Sequence, residues 1–143
     1  MEKITKVSRI IKKLYYKIFI ENYNKKISYN FPVDYFRWDL IKYLHEKYKF
    51  NSYLEIGCDK DQLFSRINIK KKFGVDPFSG GNIRKTSDEF FKDNKETFDL
   101  VFIDGLHEYS QVKKDILNSL KFLNKDGLIL VHDCLPESMS KQA

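Results

Sequence analysis

The strongest constraint on the fold is a change of hydrophobic pattern at Asn51. From there onward, short continuous apolar runs alternate with helical patterns. We predict strands at Ser52–Ile56, Lys72–Val75, Ile83–Thr86, Asp99–Ile103 and Leu128–Val131. We predict helices at about Gln62–Ile67, Ser87–Asp93 and Tyr109–Leu123, the last ending near Lys125-Asp126-Gly127. Continuous apolar strands separated by helices are typical of a parallel sheet that is covered on both faces. The sequence therefore predicts an α/β fold.

Residues 1–50 form a predicted N-terminal helical region in front of a core at 51–143. Residues 3–20 place six aliphatic side chains on one face of a basic helix, and a second helix follows at about Tyr35–Tyr48. The first helix could lie on an anionic membrane surface, pack on its own domain or mediate a homodimer. Its aromatic residues Tyr15 and Phe19 favour a protein surface.

The net charge of +6 is concentrated near the N-terminus, since residues 1–26 carry eight Lys and Arg against two acids. The remainder is neutral, which argues against a nucleic-acid partner. No apolar run is long enough to span a membrane, and no secretory signal is evident, so we expect a cytoplasmic protein. Cys58 and Cys134 are too few for a disulfide framework and lack the spacing of a metal site.

Polar side chains stand where the predicted strands end. Glu55, Asp76 and Asp104 close three of the strands, and His132 and Asp133 follow the last. Ligands of open parallel sheets bind beyond the carboxyl ends of the strands. These residues therefore predict a ligand site at that edge.

The turn after the first predicted strand argues against a phosphate-rich cofactor. Gly57 permits a tight turn, but it is the only glycine present of a G-x-G-x-x-G dinucleotide fingerprint, and positions 59 and 61 are Asp. A cofactor without phosphates and with a positive centre suits these acids better. Asp76, 21 residues after Glu55, can accept both hydroxyls of a ribose, or can act instead as a turn or capping residue.

Four segments together resemble a known family: "YLEIGC", "GVDP", "FDLVFIDGLHEYSQVKKDI" and "GLILVHDCLP". They are similar to class I S-adenosylmethionine-dependent methyltransferases, and most to the small-molecule and sugar O-methyltransferase branch that includes macrocin and catechol O-methyltransferases. The resemblance covers about Asn51–Pro136. It implies a Rossmann-like doubly wound sheet in order 3-2-1-4-5. The family adds two further strands, so we expect strands six and seven to be missing from this chain.

The resemblance also implies S-adenosyl-L-methionine as cofactor. Glu55 and Gly57 match the motif that approaches the methionine part, and Asp76 matches the acid that binds ribose. The full cofactor set expected from the resemblance is Glu55, Gly57, Cys58, Asp76, Pro77, Ser87, Asp88 and Asp104. The departure is that Asp59 and Asp61 replace glycines of the family motif.

In metal-dependent relatives, Mg²⁺ is held by residues that match Asp104, His132 and Asp133, although an acid is more usual where His132 stands. His107 lies at the offset from Asp104 where catechol-type relatives have a lysine base. The resemblance therefore implies that His107 and Asp104 are catalytic in O-methylation of a hydroxyl on a sugar or small metabolite. As an alternative, His107 caps the following helix. Asp115 is predicted to lie on a solvated face.

Three other functions stay open from the sequence. An inactive or partner-dependent methyltransferase-like remnant would keep the fold without turnover. A metal-dependent hydrolase could use Asp104, His107, His132 and Asp133 without needing Glu55, Gly57 and Asp76. A nucleotide-dependent oxidoreductase is disfavoured by the missing glycines. Binding of S-adenosylhomocysteine would separate these readings.

Overall fold

A computed structural model describes residues 34–136 without a break, together with residues 10–11, 14–15, 17–19, 24–28, 30 and 138. The chain divides into two units, Val33–Asp133 and Met1–Pro32 with Cys134–Ala143. Most of the helix predicted at 3–20 lies outside the described residues, and those of its residues that are described are helical. In the described part of the chain, no helix is long and apolar enough to cross a membrane.

The unit Val33–Asp133 is built around one four-stranded sheet. In chain order its elements are α1 (Arg37–Tyr48), β1 (Ser52–Ile56), a 3₁₀ turn (Phe64–Arg66), β2 (Lys71–Val75), α2 (Ser87–Asp93), β3 (Phe98–Ile103), α3 (Tyr109–Lys121) and β4 (Leu123–Val131). The strands lie in the order β2-β1-β3-β4, and all neighbouring pairs are parallel. The predicted α/β, Rossmann-like fold is confirmed.

The predicted strand at Ile83–Thr86 is reduced to a single parallel bridge between Val75 and Ile83. This bridge lies beside β2, so it occupies the position of strand three in the predicted order. The chain leaves the sheet quickly because Thr86 begins α2, with a capping box to Glu89. A second element is also shorter than predicted, since the helix at Gln62–Ile67 is only the 3₁₀ turn.

β4 begins at Leu123, earlier than predicted. Leu123 pairs with Phe98 and Leu128 with Leu100, so residues 124–127 lie opposite Asp99 alone. Asp126 adopts a φ of 66° within this bulge. The sequence Lys125-Asp126-Gly127, which looked like a helix end, is therefore an irregularity inside the strand.

Helices cover both faces of the sheet. On one face, α1 packs through Ile41, with Trp38 and Leu44, against a cluster that includes Tyr53 of β1. On the other face, two phenylalanines of α2 and Ile116 of α3 pack against Leu54 and Val101. Since both faces are closed by apolar contacts, the ends of the strands are where polar groups can meet a ligand.

Candidate functional site

The carboxyl ends of the strands are level with one another. Ile56 pairs with both Val75 and Ile103, and Ile103 pairs with Val131. The residues that follow these strand ends are Gly57, Asp76, Asp104 and His132. Backbone hydrogen bonds fix this edge of the sheet. The Asp104 N–H donates to the carbonyl oxygen of Ile56 at 2.8 Å, and the His132 N–H donates to that of Ile103 at 2.9 Å. The predicted meeting of polar strand ends is therefore found in the structure.

Two adjoining cavities open at this edge, with volumes of about 540 Å³ and 220 Å³. They share Gly57, Asp59 and Asp104 in their walls. The larger also has Pro77, Phe78, Ser87, Asp88, Leu106, Gln111 and Asp115 in its wall. The smaller is lined chiefly by charged and polar groups, including Arg37, Glu55, Lys60 and His107.

Gly57 lies where the two cavities join, and its position requires glycine. Its φ is +85°, and a Cβ atom there would come 2.3 Å from the carbonyl oxygen of Asp104. A side chain would therefore push apart the loops that follow β1 and β3.

Asp76 holds two loops together. Its Oδ2 accepts the backbone N–H groups of Cys58 and Asp59 at 3.1 and 3.0 Å. Its Oδ1 accepts those of Phe78 and Ser79 at 2.8 and 2.9 Å. Burial raises the pKa of the carboxyl, but the four donors outweigh burial and hold the pKa below its ordinary value. This geometry is that of the capping alternative, and contact with ribose stays a prediction.

Glu55 brings a buried carboxyl to the smaller cavity. It is 1% exposed and accepts a hydrogen bond from the Tyr53 hydroxyl at 2.6 Å. Burial raises its pKa to about 7, although the bond from Tyr53 and the charge of Arg37 oppose the rise. Next to it in the wall, Cys58 is buried and burial raises the pKa of its thiol, so the side chain is an apolar wall rather than a nucleophile.

The far wall of the larger cavity is a polar contact between α2 and α3. The amide nitrogen of Gln111 lies 3.1 Å from Ser87 Oγ, 3.3 Å from Asp88 Oδ1 and 3.1 Å from Asp115 Oδ1. Asp115 is 1% exposed, and burial raises its pKa. The prediction that Asp115 lies on a solvated face is therefore wrong.

Asp104 is the centre of a polar cluster beyond the ends of β3 and β4. We call this cluster, which also contains His107, His132 and Asp133, the reactive edge. Asp104 Oδ2 accepts a hydrogen bond from Arg37 Nη1 at 2.6 Å. Its Oδ1 lies 3.0 Å from His132 Nδ1 and 3.7 Å from His107 Nε2. His132 Nδ1 is also 3.2 Å from Asp133 Oδ1. That nitrogen is buried, and neither carboxylate meets it in a hydrogen-bonding direction, so these are close contacts rather than hydrogen bonds.

This segment of the chain matches the family model described as "Methyltransferase domain" over residues 54–134, more than half of the sequence. The chain belongs to the methyltransferase domain family. No curated protein and no solved structure matches it. The matched segment runs from β1 to the end of the reactive edge, so the strand ends and most of both cavity walls belong to the methyltransferase domain.

The residues of the reactive edge do not fit the divalent cation that the resemblance implies. The Arg37 guanidinium already occupies one oxygen of Asp104, the first expected ligand. Across the described residues, no group of three or more His, Cys, Asp or Glu side chains is arranged to hold a metal ion. Asp104, His132 and Asp133 are close together, but the structure gives no support for their predicted role as Mg²⁺ ligands.

Sequence reasoning missed two residues of the site, Arg37 and Asp115. Arg37 precedes the segment that resembles the family, and a lone arginine at a helix start has no distinctive signal. Asp115 had none either, because its burial, and that of Ser119 one helical turn later, is seen only in the structure.

Proposed function

We propose that the chain is a class I S-adenosyl-L-methionine-dependent methyltransferase that methylates a hydroxyl on a sugar or other small molecule. The observation that carries the proposal is the pair of cavities that share Gly57 and Asp104 within the family segment. The neutral charge of residues 27–143 supports a small-molecule acceptor over nucleic acid.

The two cavities suit the two halves of this cofactor. The larger has apolar walls with a polar far end, which suits an adenosine. The smaller brings Lys60 and Glu55 around a limited space, which suits the carboxylate and ammonium of a methionine. Gly57, which has no side chain, would let the backbone approach the point where the two halves of the cofactor join. When bound, the cofactor supplies a methyl group activated by a positively charged sulfur.

The proposed role of His107 is to accept a proton. Its imidazole lines the smaller cavity, is about half exposed at 53%, and lies 3.7 Å from Asp104 Oδ1. An acceptor hydroxyl would lose its proton to a ring nitrogen as its oxygen forms a bond to the methyl carbon and the carbon–sulfur bond breaks. Asp104 orients the imidazole and stabilises the resulting imidazolium. The transfer needs oxygen, carbon and sulfur in line, and the walls of the two cavities would supply that alignment with the cofactor bound.

Calorimetry with S-adenosylhomocysteine and the full chain tests the cofactor assignment, and transfer of labelled methyl to a panel of sugars and phenols tests the reaction. His107→Ala is expected to keep binding within a few-fold while transfer falls about a hundredfold or more. Glu108→Gln, the exposed neighbour, is the matched control and should change neither. Failure of the wild-type chain to bind S-adenosylhomocysteine at millimolar concentration would refute the proposal.

A further inference from the structure

An arginine from outside the matched family segment reaches the reactive edge. Arg37 is the first residue of α1, and its partner Asp104 lies 67 positions later. The guanidinium and the carboxylate meet at 2.6 Å, and their side chains are 32% and 15% exposed. α1 is fixed to the sheet by the buried Ile41, so the helix delivers the arginine to a defined place.

The guanidinium carries a permanent positive charge between two carboxyl groups. It bonds Asp104, and its charge also acts on Glu55, whose pKa it lowers against the effect of burial. Arginine stays protonated at any working pH and has five N–H donors in a planar fork. The bond from Nη1 to Asp104 therefore leaves capacity to bind the oxygen of an acceptor.

A divalent cation would compete with this arginine for the same place. Mg²⁺ needs oxygen ligands at close range in a nearly octahedral arrangement. Asp104 would be its central ligand, yet Oδ2 of that residue is bonded to a cation and Oδ1 faces His132. A metal ion inserted here would be repelled by the guanidinium at short range.

We propose that Arg37 takes the place of the divalent cation of the metal-dependent relatives, so that this methyltransferase acts without a metal. The inference rests on the proposed function for the reaction it serves. Arg37 holds Asp104 in the orientation in which Oδ1 faces the two histidines, and its guanidinium stabilises negative charge that develops on the acceptor oxygen.

Binding of Mn²⁺ alone tests this assignment without knowledge of the acceptor. The wild-type chain is expected to show no Mn²⁺ site at the reactive edge, measured as the difference in calorimetry between it and Asp104→Asn. Arg37→Gln removes the competing charge and should gain a Mn²⁺ site whose affinity is at least tenfold above any residual binding by the wild-type chain, and a second change, Asp104→Asn, should abolish that site. Arg37→Lys keeps the charge and should gain none. Arg66→Ala, an exposed arginine beside Trp38, controls for loss of an arginine as such.

Two results would overturn the inference: a Mn²⁺ site in the wild-type chain that depends on Asp104, or an Arg37→Gln variant that folds by circular dichroism and gains no site. Binding of S-adenosylhomocysteine is measured on the same samples. If that binding is absent while the Mn²⁺ results are as expected, the cofactor assignment fails, but the inference that Arg37 takes the place of a divalent cation stands. If it is present and Arg37→Gln gains nothing, only the inference on Arg37 fails.

Discussion

Burial of the Glu55 carboxyl at the site lowers the stability of the fold when that group is ionised. This carboxyl is buried in the centre of the sheet, where the charged form loses hydration, and its pKa rises from 4.5 to about 7. Since the folded-state pKa lies above the unfolded one, the unfolded chain loses this proton first. Stability from this group is therefore fully present below pH 4.5 and is lost as the pH rises through about 7.

Glu55→Gln is expected to stabilise the protein at pH 8 and to flatten the pH dependence of unfolding between pH 4.5 and 7. A rise of this size corresponds to roughly 3 kcal/mol at full effect. Glutamine keeps an oxygen for the Tyr53 hydroxyl and carries no charge to bury. Urea unfolding at pH 5 and pH 8 measures the change, with the exposed Glu46→Gln as control. Equal pH slopes for wild type and Glu55→Gln would contradict it.

At this scale the sequence predicted well the residues whose position follows from the sheet. Gly57, Asp76, Asp104 and His132 come directly after apolar strands, and parallel strands place their ends on one edge. It could not predict how Asp76 is used. Four backbone N–H groups meet that carboxylate only because two loops close around it, and loop closure has no local pattern.

Among the elements, α3 is the one in which burial does not follow hydropathy. Leu117 and Leu120 are about half exposed, whereas Asp115 and Ser119 are buried. Asp115 lines the larger cavity, where Gln111 links it to Ser87 of α2. A hydropathy pattern reads the leucines as the inner face, so the contact between the helices and its role at the cavity could not be read from the sequence.

The contact between α2 and α3 predicts selectivity for an amino group on the bound base. The Gln111 amide has two hydrogens for three oxygens, those of Ser87, Asp88 and Asp115, so a ligand that donates is favoured there. Adenine presents an amino group at its six-position and hypoxanthine a carbonyl. We expect Asp115→Asn to reduce the preference for S-adenosylhomocysteine over S-inosylhomocysteine by about tenfold or more, as measured by calorimetry.

The control for this prediction is Asp93→Asn, since Asp93 ends α2 on the surface and pairs with Lys85. It should leave the ratio of the two affinities unchanged. If Asp115→Asn weakens both ligands equally, Asp115 only braces the two helices.

At the scale of the whole molecule, strand order was the most predictable feature, because the family resemblance implies the order 3-2-1-4-5 and the described strands follow it. The length of each strand was less predictable. β4 begins early because Leu123 pairs with Phe98 across a bulge, and strand three shrinks to one bridge because Thr86 starts a helix at once. Both outcomes depend on contacts between distant segments.

Under the proposed function one cofactor spans both cavities, and this predicts how ligands stabilise the protein. A ligand that binds only the folded chain adds roughly 2.7 kcal/mol at a hundred times its dissociation constant. S-adenosylhomocysteine, which by the proposed function fills both cavities, should at equal concentration raise the melting temperature more than adenosine and homocysteine added together. Joining the two parts makes the second contact intramolecular. Scanning calorimetry with each ligand at one fixed concentration measures this difference.

Gly57→Ala provides the decisive comparison, because its Cβ would stand 2.3 Å from the Asp104 carbonyl at the joint of the cavities. This variant should lose the extra stabilisation by S-adenosylhomocysteine. Gly105→Ala is the matched control on the adjoining loop, since its Cβ would meet Ile56 at 3.3 Å and its φ is not in the left-handed region. If the mixture of the two parts stabilises the wild-type chain as much as the intact ligand does, the cavities act separately and one cofactor does not span them.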